Sequence, residues 1–215
     1  MSAFGAQSTK PRLADAMRQL AGAVAVITAG RGPARTGYTG TAVFSLSIDP
    51  ERLVISVGRS SSSYPAIRDS GFFGLNILRA DQQAIADRFA GRGGVKGEAR
   101  YAGAEWKETP AGVCLLVGAL AAIELRVEEI IERHSHAIII GEPLSIAASS
   151  VGEGLVYWRS TYRSTANERA LAADGFVALD GAGLGLATSQ AGRAIGVPGA
   201  SEPSPDPWRA APLAS

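Results

Sequence analysis

GYTGTAVFSLSIDP, residues 37–50, decides how the chain folds, read together with RSSSS at residues 59–63. β-Branched and aromatic residues keep the first stretch extended, while its glycines and hydroxyl side chains leave little bulk on it. Such a strand lets a large flat ligand lie against its backbone, with Ser and Thr hydroxyls at the edge. The serine run then offers a cluster of donors beside one guanidinium, a combination that suits a phosphate. Thr39, Thr41, Ser45 and Ser47 alternate on one face of the predicted strand. Polar residues do so on any half-exposed strand, so the ligand reading depends on the two stretches acting together.

Upstream, Leu13, Ala16, Met17 and Leu20 recur at helical spacing and predict a short amphipathic helix over residues 12–20. Gly22 ends it, and AVAVITA (23–29) reads as a buried strand. The turn GRGP (30–33) makes a hairpin with the opening stretch, which Asp49–Pro50 closes. LVISV (53–57) is the next strand.

Downstream, Ser63 is the expected N-cap of a short helix over 63–69, with Pro65 in its first turn. FFGLNIL (72–78) is strand-like, and Asp81 is the expected cap of a helix over 82–89. A glycine-rich loop runs over 90–106. The clearest strand is 119–127, where Ala119, Ala121, Ile123, Leu125 and Val127 alternate with charged residues. HAIII (136–140) pairs with it through a turn at 133–135, and LVYW (155–158) supplies the last strand. Strands outnumber helices, so the expected architecture is mainly β, a closed antiparallel barrel with short helical inserts.

Composition bounds the partners. The 215 residues are 46% apolar and 19% charged, ordinary for one globular domain with an extension. A net charge of +1 gives no footprint for nucleic acid or an anionic membrane. One cysteine, Cys114 in VCLLV, excludes a disulfide framework and a thiolate cluster, and a small core residue is its expected role. No apolar run approaches the ~20 residues of a membrane span. The first residues carry no apolar block after Lys10 and Arg12, so no secretory signal is expected and the setting reads as cytoplasmic. Residues 1–11 form an expected arm and 165–215 an Ala/Gly/Pro-rich extension, with a helix over 166–173 and five prolines between 198 and 212.

Two tempting motifs fail. GAGLGLA at Gly181 has Leu186 where a dinucleotide fingerprint needs a third small residue, and no βαβ unit surrounds it. GRGGVKG at Gly91 has its lysine before a glycine and no Ser or Thr after it, so it is not a P-loop. The only histidines, His134 and His136, could share a strand face with Glu132 at metal-binding spacing. A turn expected there breaks the alternation, and no metal is predicted.

Five segments in order carry a resemblance: GYTGTAVFSLSIDP, RSSSSYPAIRDSGFFGLNIL, DQQAIADRFAG, SHAIIIGEP and GLVYWRSTY. Over residues 12–164 the chain resembles the short-chain flavin reductases, the flavin reductase-like group of the FMN-binding split β-barrel fold. That group includes the reductase components of two-component flavin monooxygenases and the reductase of pyrimidine utilisation. The resemblance implies a homodimer in which both chains build each site. It also implies FMN or FAD as cofactor, NADH or NADPH as co-substrate, and a monooxygenase as partner. It assigns the flavin ring and ribityl chain to Thr39, Thr41, Ala42, Val43, Phe44 and Ser45. The phosphate falls to Arg59, Ser61, Ser62 and Ser63, with Lys96 or Arg92 adding a cation. His136 would lie where nicotinamide meets the flavin, orienting it or moving a proton. Ser135 stands before it where the group often has Thr or Asp, and Arg133–His134 replaces a glycine region. Tyr157, Trp158, Arg159 and Tyr162 would bind the nicotinamide nucleotide by stacking and by a guanidinium on its pyrophosphate. Other readings are a non-catalytic flavin carrier or redox sensor, and a reductase of a metal complex such as a corrinoid or ferric chelate.

Overall fold

Val24 is the point at which the chain passes from one sheet to another. Its N–H donates to the Leu155 carbonyl at 2.8 Å and its carbonyl accepts from the Leu78 N–H at 3.0 Å. AVAVITA is therefore two strands, β1 (Gly22–Ala23) and β2 (Ala25–Ala29), rather than the single one expected. β2 is buried at every position. Val26 joins a core with Leu78, Phe89, Leu116 and Leu155, while Ala25 and Ile27 face a second core with Phe73, Leu75 and Ile139. Cover on both faces is why this stretch reads as an unbroken apolar run. The computed structural model describes residues 12–166. The expected arm, and the extension from 167 with nearly all of its expected helix, lie outside the described residues.

β2 sits inside a seven-stranded antiparallel sheet. The other strands are β3 (Thr36–Gly40), β4 (Val43–Ile48), β5 (Glu51–Gly58), β6 (Phe72–Ile77), β9 (Ala121–Arg133) and β10 (His136–Ala148), in spatial order β3-β2-β6-β9-β10-β5-β4. A hairpin of β7 (Trp106–Glu108) and β8 (Cys114–Leu116) covers one face. β1 pairs with β11 (Leu155–Trp158), which pairs with β12 (Thr161–Ser164), a strand the sequence reading did not include. The helices are α1 (Leu13–Met17), α2 (Ser63–Ser70) and α3 (Gln83–Phe89).

The opening stretch is also two strands, and they form opposite edges of the large sheet. The sheet curls until those edges approach. Tyr38 on β3 donates its hydroxyl to the Ser56 carbonyl on β5 at 3.0 Å, and the Ser56 N–H donates to the Ala42 carbonyl at 3.1 Å. Thr41–Ala42 is thus a link that crosses from one edge to the other. β3 and β4 share no ladder, so the sheet is a half-barrel and not the closed barrel expected. The break at the link, and a register shift between Ser45 and Ser47, interrupt the expected alternation of Thr39, Thr41, Ser45 and Ser47. Gly37 is required on β3: a Cβ there would meet the Ile27 carbonyl oxygen at 2.5 Å and the Phe89 ring at 2.7 Å.

The helices depart in detail. α1 ends at Met17, and its apolar residues are exposed, Leu13 at 78%. Ser62, not Ser63, occupies the N-cap of α2. Asp81 pairs with Arg79 instead of capping, while the Arg79 N–H is taken by Gln82 Oε1 at 2.9 Å. Cys114 is buried as expected, and burial pushes its thiol up.

Candidate functional site

The β3–β4 link is where the candidate residues gather. On one side it lines a groove of about 740 Å³ with α1 and the β11–β12 turn. Thr41, Ala42, Val43 and Phe44 line it together with Tyr157 and Arg159. Two stretches far apart in sequence therefore meet, because β11 pairs with β1 just ahead of β2. A smaller cleft of about 220 Å³ lies beside it, lined by Thr39, Thr41, Arg92, Tyr157 and Tyr162. The Tyr157 and Tyr162 rings meet edge to face with centroids 5.2 Å apart, and the Arg92 guanidinium lies 5.4 Å from the Tyr162 centroid. Burial pushes the Tyr162 phenol up, so its hydroxyl stays a donor.

Several of the predicted side chains are already bonded within the fold. Thr39 donates its hydroxyl to the Ala86 carbonyl at 2.6 Å, anchoring β3 to α3. Trp158 donates its indole N–H to the Gln19 carbonyl at 3.1 Å. Arg159 lies over the Trp158 ring at 4.5 Å and donates to Gln19 Oε1 at 3.1 Å. Arg159 and Ser160 both have positive φ, 48° and 63°, in the tight turn between β11 and β12. Non-glycine residues are rarely held so, and the hold comes from the segment after α1, whose Arg18 carbonyl accepts the Arg159 N–H at 3.2 Å. Lys96 is exposed in the glycine-rich loop, and Arg92 is the cation that reaches the cleft. Val43, Phe44 and Ser45 also line an apolar hollow of about 400 Å³ inside the curl of the sheet, with Ile48, Leu53 and Ile146.

The second half of the candidate site follows β5. Ser62 Oγ lies 3.0 Å from Thr36 Oγ1, so the serine loop is tied to β3. Ser61 Oγ accepts the Ser63 N–H at 3.2 Å. Ser63 Oγ is buried with no hydrogen-bond partner, and the N-terminus of α2 has no side-chain cap. A buried hydroxyl left unpaired at the start of α2 fits an anionic group at Ser61–Ser63. Arg59 does not point its charge there: its guanidinium pairs with Glu132 at 2.8 Å. His136 opens β10, opposite Gly58 on β5, and its Nδ1 lies 2.9 Å from Ser135 Oγ. It is not among the residues lining the groove that holds Tyr157 and Arg159. The Ala42–Ser56 hydrogen bond joins the link to β5 two residues from Gly58.

Sequence reasoning missed Thr36, Tyr38 and Ser56, the polar residues that join the two halves, and Gln19, which orients Arg159. Tyr38 stood inside the decisive stretch. Gln19 and Ser56 carry no local signal, since only the fold gives them partners. Among the described residues no group of three or more His, Cys, Asp or Glu is placed to hold a metal.

The flavin reductase like domain profile matches residues 17–166 of the chain. The chain is 35% identical over 157 residues to the 4-hydroxyphenylacetate 3-monooxygenase reductase component of Pseudomonas aeruginosa, covering 73% of this chain and 92% of that one. It is 32% identical over 152 residues to the FMN reductase (NADH) RutF of Ancylobacter novellus, covering 71% and 83%. Among solved structures, BorF, the flavin reductase component of a bacterial two-component tryptophan halogenase, superposes with a TM-score of 0.65 at 26% identity, covering 71% and 95%.

Proposed function

The chain belongs to the flavin reductase-like family, and from that premise we propose that it oxidises NADH or NADPH and reduces FMN or FAD for a partner monooxygenase. The observation that carries this reading is the groove that the β3–β4 link lines together with Tyr157 and Arg159. Bound flavin supplies the hydride-accepting ring, and transfer requires the nicotinamide at near-contact distance. The chain's own residues provide the surfaces for that contact. The link from Thr41 to Phe44 offers backbone groups and an apolar wall for a ring. Ser61, Ser62 and Ser63 with the uncapped start of α2 hold a phosphate, Ser63 Oγ being the unpaired donor. Tyr157, Tyr162 and Arg159 receive the nucleotide by stacking and charge. His136 orients the nicotinamide or moves a proton at its free Nε2, its Nδ1 being engaged by Ser135.

The functional unit in this reading is a homodimer with each site shared between chains. Phe44 is 58% exposed and Ile48 83%, on an edge strand beside an apolar hollow, and α1 presents Leu13 and Met17 to solvent. Faces of this kind mark contact surfaces. His136 lies outside the groove that Tyr157 lines, so a second copy is the natural source of the missing wall. Residues 12–164 form the reductase domain in this reading, residues 165–215 an extension, and the setting is cytoplasmic.

The test is direct. The purified protein is scanned for a flavin spectrum, and NADH and NADPH oxidation is then followed with FMN, FAD and riboflavin in turn. Consumption of a nucleotide with at least one flavin is expected. No consumption with any of them sinks the reductase reading and leaves a flavin carrier. Light scattering reads the dimer, and full activity in a monomer contradicts the shared site.

A further inference from the structure

The bonds around Arg59 give it a task other than holding phosphate. Its Nη2 lies 2.8 Å from Glu132 Oε2, and its Nη1 donates to the His134 carbonyl at 3.1 Å. Its backbone N–H donates to the Ser135 carbonyl at 2.9 Å. Tyr64, in the first turn of α2, donates its hydroxyl to the other Glu132 oxygen, and this bond is the main reason its phenol is held above the ordinary value. Arg68 lies over the Tyr64 ring at 5.8 Å. One carboxylate at the end of β9 is therefore gripped from two places, the head of the serine loop and the first turn of the helix that follows it. Residues 134 and 135 make the turn between β9 and β10, with His134 at a φ of 50°. That conformation is costly for a residue with a side chain. Arg59 meets the carbonyls of both turn residues and braces the turn that delivers His136.

We propose that Tyr64, Glu132 and Arg59 form a staple that fixes the serine loop against the β9–β10 turn, setting the spacing between Ser61–Ser63 and His136. Arg59 and Glu132 are then positioning residues, and the phosphate is met by the serine hydroxyls, Ser63 Oγ among them. The staple rests on the assignment of Ser61–Ser63 and His136 to the flavin site.

The two roles for Arg59 predict opposite results in the full-length protein. Glu132→Gln removes the charge that holds Arg59. Arg59→Lys keeps a cation but cannot bridge the carboxylate and the His134 carbonyl together. FMN binding is measured by quenching of flavin fluorescence. Each substitution is expected to weaken it about threefold to tenfold, the modest range of a half-exposed ion pair with an added hydrogen bond. The double variant is expected to be no weaker than either single one, because both break one unit. Hydrogen exchange in the ligand-free protein should quicken in peptides covering 58–63 and 130–138 in Glu132→Gln. Tyr64→Phe keeps the ring and loses one bond, so it should quicken the same peptides even if Glu132→Gln folds poorly. FMN affinity at or above wild type in Glu132→Gln, wild-type affinity in Arg59→Lys, or unchanged exchange each overturns the staple. Wild-type protein that binds neither FMN nor FAD sinks the flavin assignment instead, and the exchange measurement still decides the staple.

Discussion

The two sides of the β3–β4 link are finished to different degrees. On the groove side, Thr41 to Phe44 line an open groove together with Tyr157 and Arg159. On the serine-loop side, polar side chains other than Ser63 are already paired: Thr36 with Ser62, Tyr64 and Arg59 with Glu132, Ser135 with His136. Groups held before binding lose little freedom when a ligand arrives, whereas an open wall admits one that must come and go. The contrast matches a site with one braced half and one half through which a nucleotide exchanges at each turnover. It also makes the halves separable by substitution.

The largest effect is expected on the braced side. His136→Ala should lower kcat about hundredfold, at the low end for a proton-handling group, while FMN affinity stays at the wild-type value. Stopped-flow kinetics with a parallel FMN titration separates the two quantities. An unchanged kcat removes His136 from the chemistry and breaks the contrast. Next comes the strand both halves share. Gly37→Ala places a methyl against the Ile27 carbonyl and the Phe89 ring, and overpacking of this kind costs about 2 kcal/mol. Urea unfolding should show it, and stability equal to wild type would mean that β3 gives way easily.

On the open side, Arg159→Ala should raise the KM for NADH about tenfold with kcat nearly constant, the signature of lost binding to a charged group. A fall in kcat with constant KM would place Arg159 at the reacting rings instead. The same variant tests sharing between chains. If each site takes His136 from one chain and Arg159 from its partner, mixing the two variants at NADH well below the KM, where both are impaired, regenerates one intact site in each mixed dimer. An equal mixture should recover about a quarter of wild-type activity after exchange of subunits. No recovery puts both residues in one chain's site.

Several residues lining the candidate groove were legible in the sequence, and less of the fold's closure was. Local chemistry was legible: LVYW spans β11 residue for residue, and the alternation over 119–127 falls within β9 apart from its first two residues. GYTGTAVFSLSIDP read as one strand because nothing in its composition marks Thr41–Ala42 as a crossing. That break follows from the curl of the sheet, which depends on β5 lying near β3. Arg59 stood beside four serines and read as their companion, yet its partner Glu132 lies 73 residues away. Side chains with one local role and one distant partner are where sequence reasoning stops, since the distant partner exists only after the fold does.

Tyr38 spans the junction between the two sides, and its expected effect is the smallest. Its hydroxyl donates across the curl to the Ser56 carbonyl at 3.0 Å, so Tyr38→Phe removes one hydrogen bond and leaves the ring in place. The net loss should be about 1 kcal/mol at neutral pH. The phenol also carries a pH signature. Burial raises its pKa above the ordinary 10.0. The folded protein therefore keeps the proton where the unfolded chain has released it. Stability from this group is complete below pH 10 and declines as the pH rises above it towards the folded value. Tyr64, Tyr101 and Tyr162 are shifted in the same direction, so the wild-type protein loses stability to alkali through several tyrosines. Tyr38→Phe should lose less than wild type between pH 9 and about 11, and the two stability curves should converge in that range. Parallel curves would mean that the Tyr38 hydroxyl is reached by solvent, and that the two sides of the link are joined by the Ala42–Ser56 backbone bond alone.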